Sequence, residues 1–203
     1  VFALPDTHVR VDDDGVTFRS VYDGSAERLT PLRVMEIQAR LGSDIAMCLD
    51  VCPPGNAPRA EHDAAVRRTQ LWAEEQVGAP RADGQLRFGI AQGGTDRELR
   101  GRSIEELVAL PFDGFALGGL AVGESREEML DTVAWAAPEL PAEHPRYFMG
   151  LGDAEGIPDS RMLSASEYCR YAFWRRRYFA TVPALDFGCR WTSQRQRPVR
   201  ERR

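Results

Sequence analysis

Four short apolar runs, each ending in small or polar residues, punctuate the chain between residues 45 and 152. The first, Ile45–Leu49, leads into Asp50-Val51-Cys52-Pro53-Pro54-Gly55 and then a helical stretch from about Ala60 to Val77, with an approximate apolar face of Ala64, Ala65, Leu71, Trp72 and Ala73. The second, Leu86–Ala91, ends at Gln92-Gly93-Gly94, and the helix after it, from about Asp96 to Leu110, carries Leu99, Ile104, Leu107 and Val108 on one side. The third, Gly114–Leu117, ends at Gly118-Gly119 ahead of a helix from about Ser125 to Ala137; the fourth, Arg146–Met149, ends at Gly150-Leu151-Gly152. Runs of roughly 30 to 40 residues from one start to the next suit βα units. Apolar strands without alternation imply a parallel sheet covered by helices. Every chemically equipped loop follows a strand, where barrels and doubly wound sheets both place their sites. No G-x-G-x-x-G opens a helix, so the expected class is α/β, a partial (β/α)8 TIM barrel rather than a Rossmann sheet.

Upstream, Val9–Val11, Asp12-Asp13-Asp14-Gly15 and Val16–Phe18 read as an N-terminal β-hairpin. Thr30 is the expected N-cap of a helix with Pro31 at its first position, running to about Leu41 and closed by Gly42. The 203 residues include 43% hydrophobic ones, enough for a packed core and too many for a disordered chain. No run of about 18 apolar residues exists, so no membrane partner is expected. The start at Val1-Phe2-Ala3-Leu4-Pro5 has no signal-peptide pattern and reads as a cut edge. Four scattered cysteines suit a reducing cytoplasm.

Charge separates the chain into two parts. All 26 basic residues are Arg, and Ser160–Arg203 holds eleven of them against Glu167, Asp186 and Glu201, whereas the first 159 residues are acidic. The expected organisation is a domain over 1–157 and a divergent Arg-rich tail over 158–203. One reading makes the tail a basic nucleic-acid arm; the other makes it foreign to this fold.

Asp50, directly after a buried run, fits a general base, a metal ligand, a hydrogen-bond acceptor for a substrate, or a turn-former ahead of Pro53. Gln92 has the same placement and can both donate and accept. Gly118-Gly119-Leu120 lets main-chain N–H groups approach a ligand, or simply makes a tight turn. Together they match the guanine edge: a carboxylate for N1–H and the 2-amino group, an amide and a main-chain N–H for O6. Spacing alone does not single out guanine. Cys48 and Cys52 lack a second ligand pair and read as ordinary thiols. His8, His62 and His144 read as surface histidines, Trp72 and Trp135 as core, and Glu124 as a loop-orienting or capping carboxylate.

A longer series of strings then resembles the tRNA-guanine transglycosylase family in its bacterial form. The strings are Gly15-Val16-Thr17-Phe18-Arg19-Ser20, Asp23-Gly24-Ser25, Gly42-Ser43-Asp44-Ile45, Phe88-Gly89-Ile90-Ala91-Gln92-Gly93-Gly94, Asp113-Gly114-Phe115-Ala116-Leu117-Gly118-Gly119-Leu120-Ala121-Val122-Gly123-Glu124 and Pro145-Arg146-Tyr147-Phe148-Met149-Gly150-Leu151-Gly152. The resemblance implies a (β/α)8 barrel that exchanges the wobble guanine of tRNA for a 7-deazaguanine precursor of queuosine through a covalent intermediate. It implies that Asp50 holds the N1 and 2-amino side of the base, and that Gln92, with the Gly118-Gly119 turn, donates to the carbonyl oxygen. Leu120 would read the aminomethyl group of the precursor through its main-chain carbonyl, and Met149 would pack on the base. Gly150, Leu151, Gly152, Asp153, Ala154, Glu155 and Gly156 match an RNA-binding loop, although Asp153 and Gly156 replace its usual Thr and Asp. Val122 fits the bacterial motif, where the eukaryotic form has glycine. The implied partners are tRNA and a guanine or 7-deazaguanine base.

The chain also departs from the family pattern. The Ser-Asp-Ser-Gly-Gly-Phe-Gln segment that carries one catalytic aspartate is absent ahead of Val1. Where a nucleophile string Asp-Cys-x-x-Pro-Thr-Arg belongs, the chain reads Ser166-Glu167-Tyr168-Cys169-Arg170-Tyr171-Ala172. The zinc motif of the family is missing too, so no cofactor and no catalytic residue is expected within these 203 residues. A frameshift after Ile157 explains the tail better than a native tRNA-binding extension, because an extension would not replace the nucleophile's strand. Unpaired barrel edges lead to an expectation of homodimerisation or self-association.

Overall fold

The computed structural model describes residues 8–149, with side chains from residue 10 onward. Three antiparallel strands come first: β1 (His8–Asp12), β2 (Gly15–Arg19) and β3 (Ala26–Leu29). The expected hairpin is therefore two strands of a three-stranded sheet. β3 (Ala-Glu-Arg-Leu) has no apolar alternation to announce it; pairing with β2, Val16 opposite Leu29 and Phe18 opposite Glu27, makes it a strand. The β1–β2 turn docks on the second helix, where the Trp72 indole donates to Asp13 O at 2.6 Å and Arg67 and Arg68 bracket the Asp13 carboxylate at 2.9 and 3.0 Å.

Helix α1 (Pro31–Leu41) begins and ends on the expected signals. The Thr30 hydroxyl accepts from Arg33 N at 3.1 Å, and Gly42 closes the helix in the left-handed region at φ +65°. The βα units follow as β4 (Ile45–Met47), α2 (Arg59–Val77), β5 (Leu86–Ala91), α3 (Arg97–Val108), β6 (Gly114–Leu117), α4 (Arg126–Ala136) and β7 (Arg146–Phe148). Asp96 caps α3, and Ser125 with Glu128 forms a capping box on α4. The four strands make a parallel sheet in the order β4-β5-β6-β7, with Met47 beside Phe88, Ala91 beside Leu117 and Leu117 beside Phe148. β6 is buried at all four positions, as a strand covered on both faces requires. The main core is formed by Ala91, Phe115, Leu117 and Phe148 from the sheet with Ala73, Leu107, Met129 and Val133 from α2, α3 and α4. The described architecture is thus α/β with a parallel sheet and four helices. Among the described residues the sheet has four strands and stays open, short of the eight that a closed barrel needs.

β4 ends the sheet, and its outer edge is sealed by side chains. The Gln38 carboxamide of α1 accepts from Met47 N and donates to Met47 O, both at 2.8 Å. Two residues on, the Gln76 carboxamide of α2 accepts from Leu49 N at 2.8 Å and donates to Leu49 O at 3.4 Å. The Thr69 hydroxyl then accepts from Val51 N at 3.0 Å. Residues 47, 49 and 51 present their polar groups to one side of the strand, so three side chains do there what a neighbouring strand would do.

The inner face of α2 differs from the expected one. Leu71 is 41% exposed and Ala64 is half-buried, while His62, Thr69 and Gln76 join Ala65, Val66, Trp72 and Ala73 inside. His62 is not a surface residue: its ring packs against Gly94, whose added Cβ would lie 2.9 Å from His62 Cε1. His144 is half-buried edge-on to Phe115, and the side chain of His8 lies outside the described residues. Trp72 is fully buried, whereas Trp135 is partly buried beneath the Arg97 guanidinium.

Candidate functional site

The ends of β4, β5 and β6 deliver three short loops to one place. Asp50 sits between Leu49 and Val51, whose main chain is clamped by Gln76 and Thr69, so its position is set by α2 as much as by its own strand. Gln92 is 1% exposed; its main-chain N–H donates to the Ser103 hydroxyl of α3 at 3.0 Å, which fixes the turn out of β5. Its carboxamide Nε2 donates to Asp50 Oδ2 at 2.5 Å. The two residues singled out on separate strands thus touch. Burial pushes the Asp50 carboxyl above the usual carboxylate range, and the bond from Gln92 pulls the other way.

Gly118 and Gly119 close the cluster. A Cβ at Gly118 would meet Gln92 Nε2 at 2.8 Å, and one at Gly119 would meet Gln92 Oε1 at 2.3 Å. Gly119 also has φ +66°, so glycine is required there both by conformation and by the approach of the amide. Gln92 Oε1 has no partner among the described residues, although it is buried, which leaves an unsatisfied acceptor at the heart of the site. Met149 directly follows β7, and its N–H donates to Leu117 O at 3.1 Å, continuing the β6–β7 pairing. The Leu120 side chain turns into the main core. The loop Gly150–Gly156 lies outside the described residues.

Three further groups surround the cluster. Cys52, read from sequence as an ordinary thiol, lies against the Gly119 N–H; burial and then the Asp50 charge push its thiol up to about 11. Cys48 is buried and shifted up for the same reasons. Among the described residues no cluster of three metal-ligating side chains occurs. Glu124 orients the loop after Gly119 by accepting from Ala121 N, with Ala121 at φ +61°, and from Val122 N at 3.0 Å. Its reading as a loop-orienting carboxylate describes what it does.

Arg100 went unread in the sequence. It is fully buried on α3, and its guanidinium donates to Gly94 O at 2.7 Å, Gly118 O at 2.9 Å and Ala91 O at 3.4 Å. Burial draws its pKa down to about 10, against the opposing charges of Glu124 and Cys52. The signal was available in the spacing: Arg100, Ser103 and Leu107 share one stripe of α3, so an arginine and a serine point inward beside a leucine.

The half-buried Asp50 carboxylate, the buried Gln92 carboxamide and the Gly118-Gly119 turn thus lie together at the C-terminal ends of parallel strands in an α/β fold, where such sheets carry their sites. The family model described as queuine tRNA-ribosyltransferase matches residues 1–163. The chain is 50% identical over 145 residues to a queuine tRNA-ribosyltransferase of Solidesulfovibrio magneticus, covering 70% of this chain and 39% of that protein. It is 50% identical over 151 residues to one of Sorangium cellulosum (74% and 38%), and 45% identical over 148 residues to one of Thermus thermophilus (73% and 38%). The chain belongs to the queuine tRNA-ribosyltransferase family, and its matched part spans about two fifths of the length of these relatives.

Proposed function

We propose that this chain carries the base pocket of a tRNA-guanine transglycosylase, built on a partial (β/α)8 barrel over residues 1–157 and working on tRNA in the cytoplasm. The observation that carries the reading is the convergence of Asp50, Gln92, Gly118 and Gly119. The ionised Asp50 carboxylate accepts from N1–H and the 2-amino group of guanine. Gln92 Nε2 has two hydrogens: one stays on Asp50 while the other meets the carbonyl oxygen, together with the Gly119 N–H, which the ligand oxygen takes over from the Cys52 sulfur. A purine lacking any of these groups leaves a buried partner unsatisfied, at about 1–3 kcal/mol for each. Leu120 O reads the aminomethyl group of a 7-deazaguanine precursor, Met149 packs on the base, and Gly150–Gly156 contacts RNA.

Recognition of the base, without breakage of its bond to ribose, is the role we assign to these 203 residues, because Ser166-Glu167-Tyr168-Cys169-Arg170-Tyr171-Ala172 stands where the family's nucleophile string belongs. Titration calorimetry with guanine, hypoxanthine and adenine tests the pocket: guanine binds best, hypoxanthine is weaker for want of the 2-amino group, and adenine is rejected. Equal affinity for guanine and adenine overturns the reading. Incubating the chain with tRNA and labelled guanine tests turnover; incorporation at the rate of a full-length relative refutes the binding-only assignment. DNA translated in all three frames beyond Ile157 decides the origin of the tail over 158–203: an Asp-Cys-x-x-Pro-Thr-Arg string in another frame identifies a frameshift.

A further inference from the structure

Arg100 stands behind the glycine turn rather than in the pocket, and what it touches gives it a specific part in recognition. Its Nη2 donates at 2.9 Å to Gly118 O. That oxygen belongs to the same peptide unit as the Gly119 N–H. A donor on the oxygen of a peptide polarises the N–H at its other end, and a charged donor does so most strongly. Meanwhile Nε donates to Gly94 O at 2.7 Å and Nη1 to Ala91 O at 3.4 Å, so one rigid guanidinium spans the two loops that carry Gln92 and Gly119. The Arg100 side chain is wholly enclosed, where a fixed charge acts through little solvent. Gly93 allows this approach: at φ +124° it passes so close to α3 that a Cβ would lie 2.6 Å from Arg100 N.

We propose that Arg100 is a positioning residue that strengthens recognition of the purine carbonyl oxygen, by setting and polarising the Gly118–Gly119 peptide whose N–H meets that oxygen. This rests on the base-pocket reading above. It assigns to a buried cation, in contact with no atom of the ligand, part of the discrimination at position 6 of the purine. An arginine that merely held the fold together would weaken every purine alike.

The test compares guanine with 6-thioguanine, which keeps N1–H and the 2-amino group but presents a sulfur that accepts hydrogen bonds weakly. In the wild-type chain guanine binds more tightly. Arg100→Met lowers guanine affinity tenfold or more and 6-thioguanine affinity by less than threefold. Arg100→Lys, which restores a charged donor, recovers at least threefold of the loss. Equal losses for the two ligands in Arg100→Met, or guanine affinity within twofold of wild type, overturn the inference while leaving the pocket intact. If circular dichroism shows Arg100→Met unfolded, Arg100→Gln, which keeps a neutral donor but no charge, carries the same comparison: its ratio of guanine to 6-thioguanine affinity falls at least threefold, and an unchanged ratio overturns the inference. A wild-type chain that binds neither ligand instead overturns the base-pocket reading, and this inference falls with it.

Discussion

Two guanidinium groups, those of the half-buried Arg87 and the fully buried Arg100, mark the two ends of one parallel sheet and serve different purposes. At the N-terminal end, Arg87 on β5 donates to Val77 O and Ala79 O, two carbonyls of one segment at the end of α2. Nearby, Asp113 Oδ2 accepts from Arg87 N at 2.8 Å and from Arg81 at 2.7 Å. At the C-terminal end, Arg100 joins carbonyls of two different βα units. The first arrangement finishes a helix, whose last carbonyls need donors and favour a positive charge. The second fixes the distance between two loops that must act on one ligand. Residue type does not separate the two; burial, partial for Arg87 and complete for Arg100, and above all the connectivity of the carbonyls do.

This contrast yields four expectations, running from the largest to the smallest, and one control. Asp50→Asn removes the negative charge facing the base and costs guanine affinity on the order of 100-fold by calorimetry, about 3 kcal/mol. A loss under fivefold would break the contrast at its upper end. Gly119→Ala meets both the left-handed backbone and Gln92 Oε1, and loses about 2 kcal/mol of guanine binding, roughly 30-fold. Gly78→Ala, which has open space where its Cβ would go, serves as the control at the opposite end of α2 and leaves affinity unchanged.

Arg87→Met sharpens the comparison from the other side. It destabilises the protein by about 2 kcal/mol in urea unfolding, yet the folded fraction binds guanine as the wild type does. A drop in affinity equal to that of Arg100→Met would show that the two ends are not separate. The smallest effect is a stability gain in Asp50→Asn. The folded pKa of Asp50 is raised, so the folded state binds a proton more tightly than the unfolded state, and wild-type stability falls as pH rises through that value. Asparagine escapes this cost. Its melting temperature therefore exceeds that of the wild type at pH 8, and the gain disappears as pH falls below the ordinary carboxylate range.

The sequence was most legible where local chemistry decides local structure. Thr30, Pro31 and Gly42 bound α1 without help from the rest of the fold, and β5 and β6 begin and end at the expected residues because apolar strands of a parallel sheet stand out against polar loops. Asp50 and Gln92 were recognisable from placement and resemblance, but not their mutual hydrogen bond, which depends on a contact across 42 residues. β3 was missed because pairing, rather than its own pattern, creates it. Arg100, Thr69, Gln76 and His62 were missed for a shared reason: polar residues on a helix are ordinarily assigned to solvent, and their satisfaction by main-chain groups or packing of other elements is a tertiary fact.

The two glutamines on the outer side of β4 bear on how the molecule meets its own copies. Sheets grow between molecules when a bare margin offers donors and acceptors to an incoming peptide. At Met47 and Leu49 those positions are already taken. An intruding strand would have to evict two carboxamides, one tethered to each flanking helix, before forming its first rung, and this side of the protein is thereby guarded against runaway zippering.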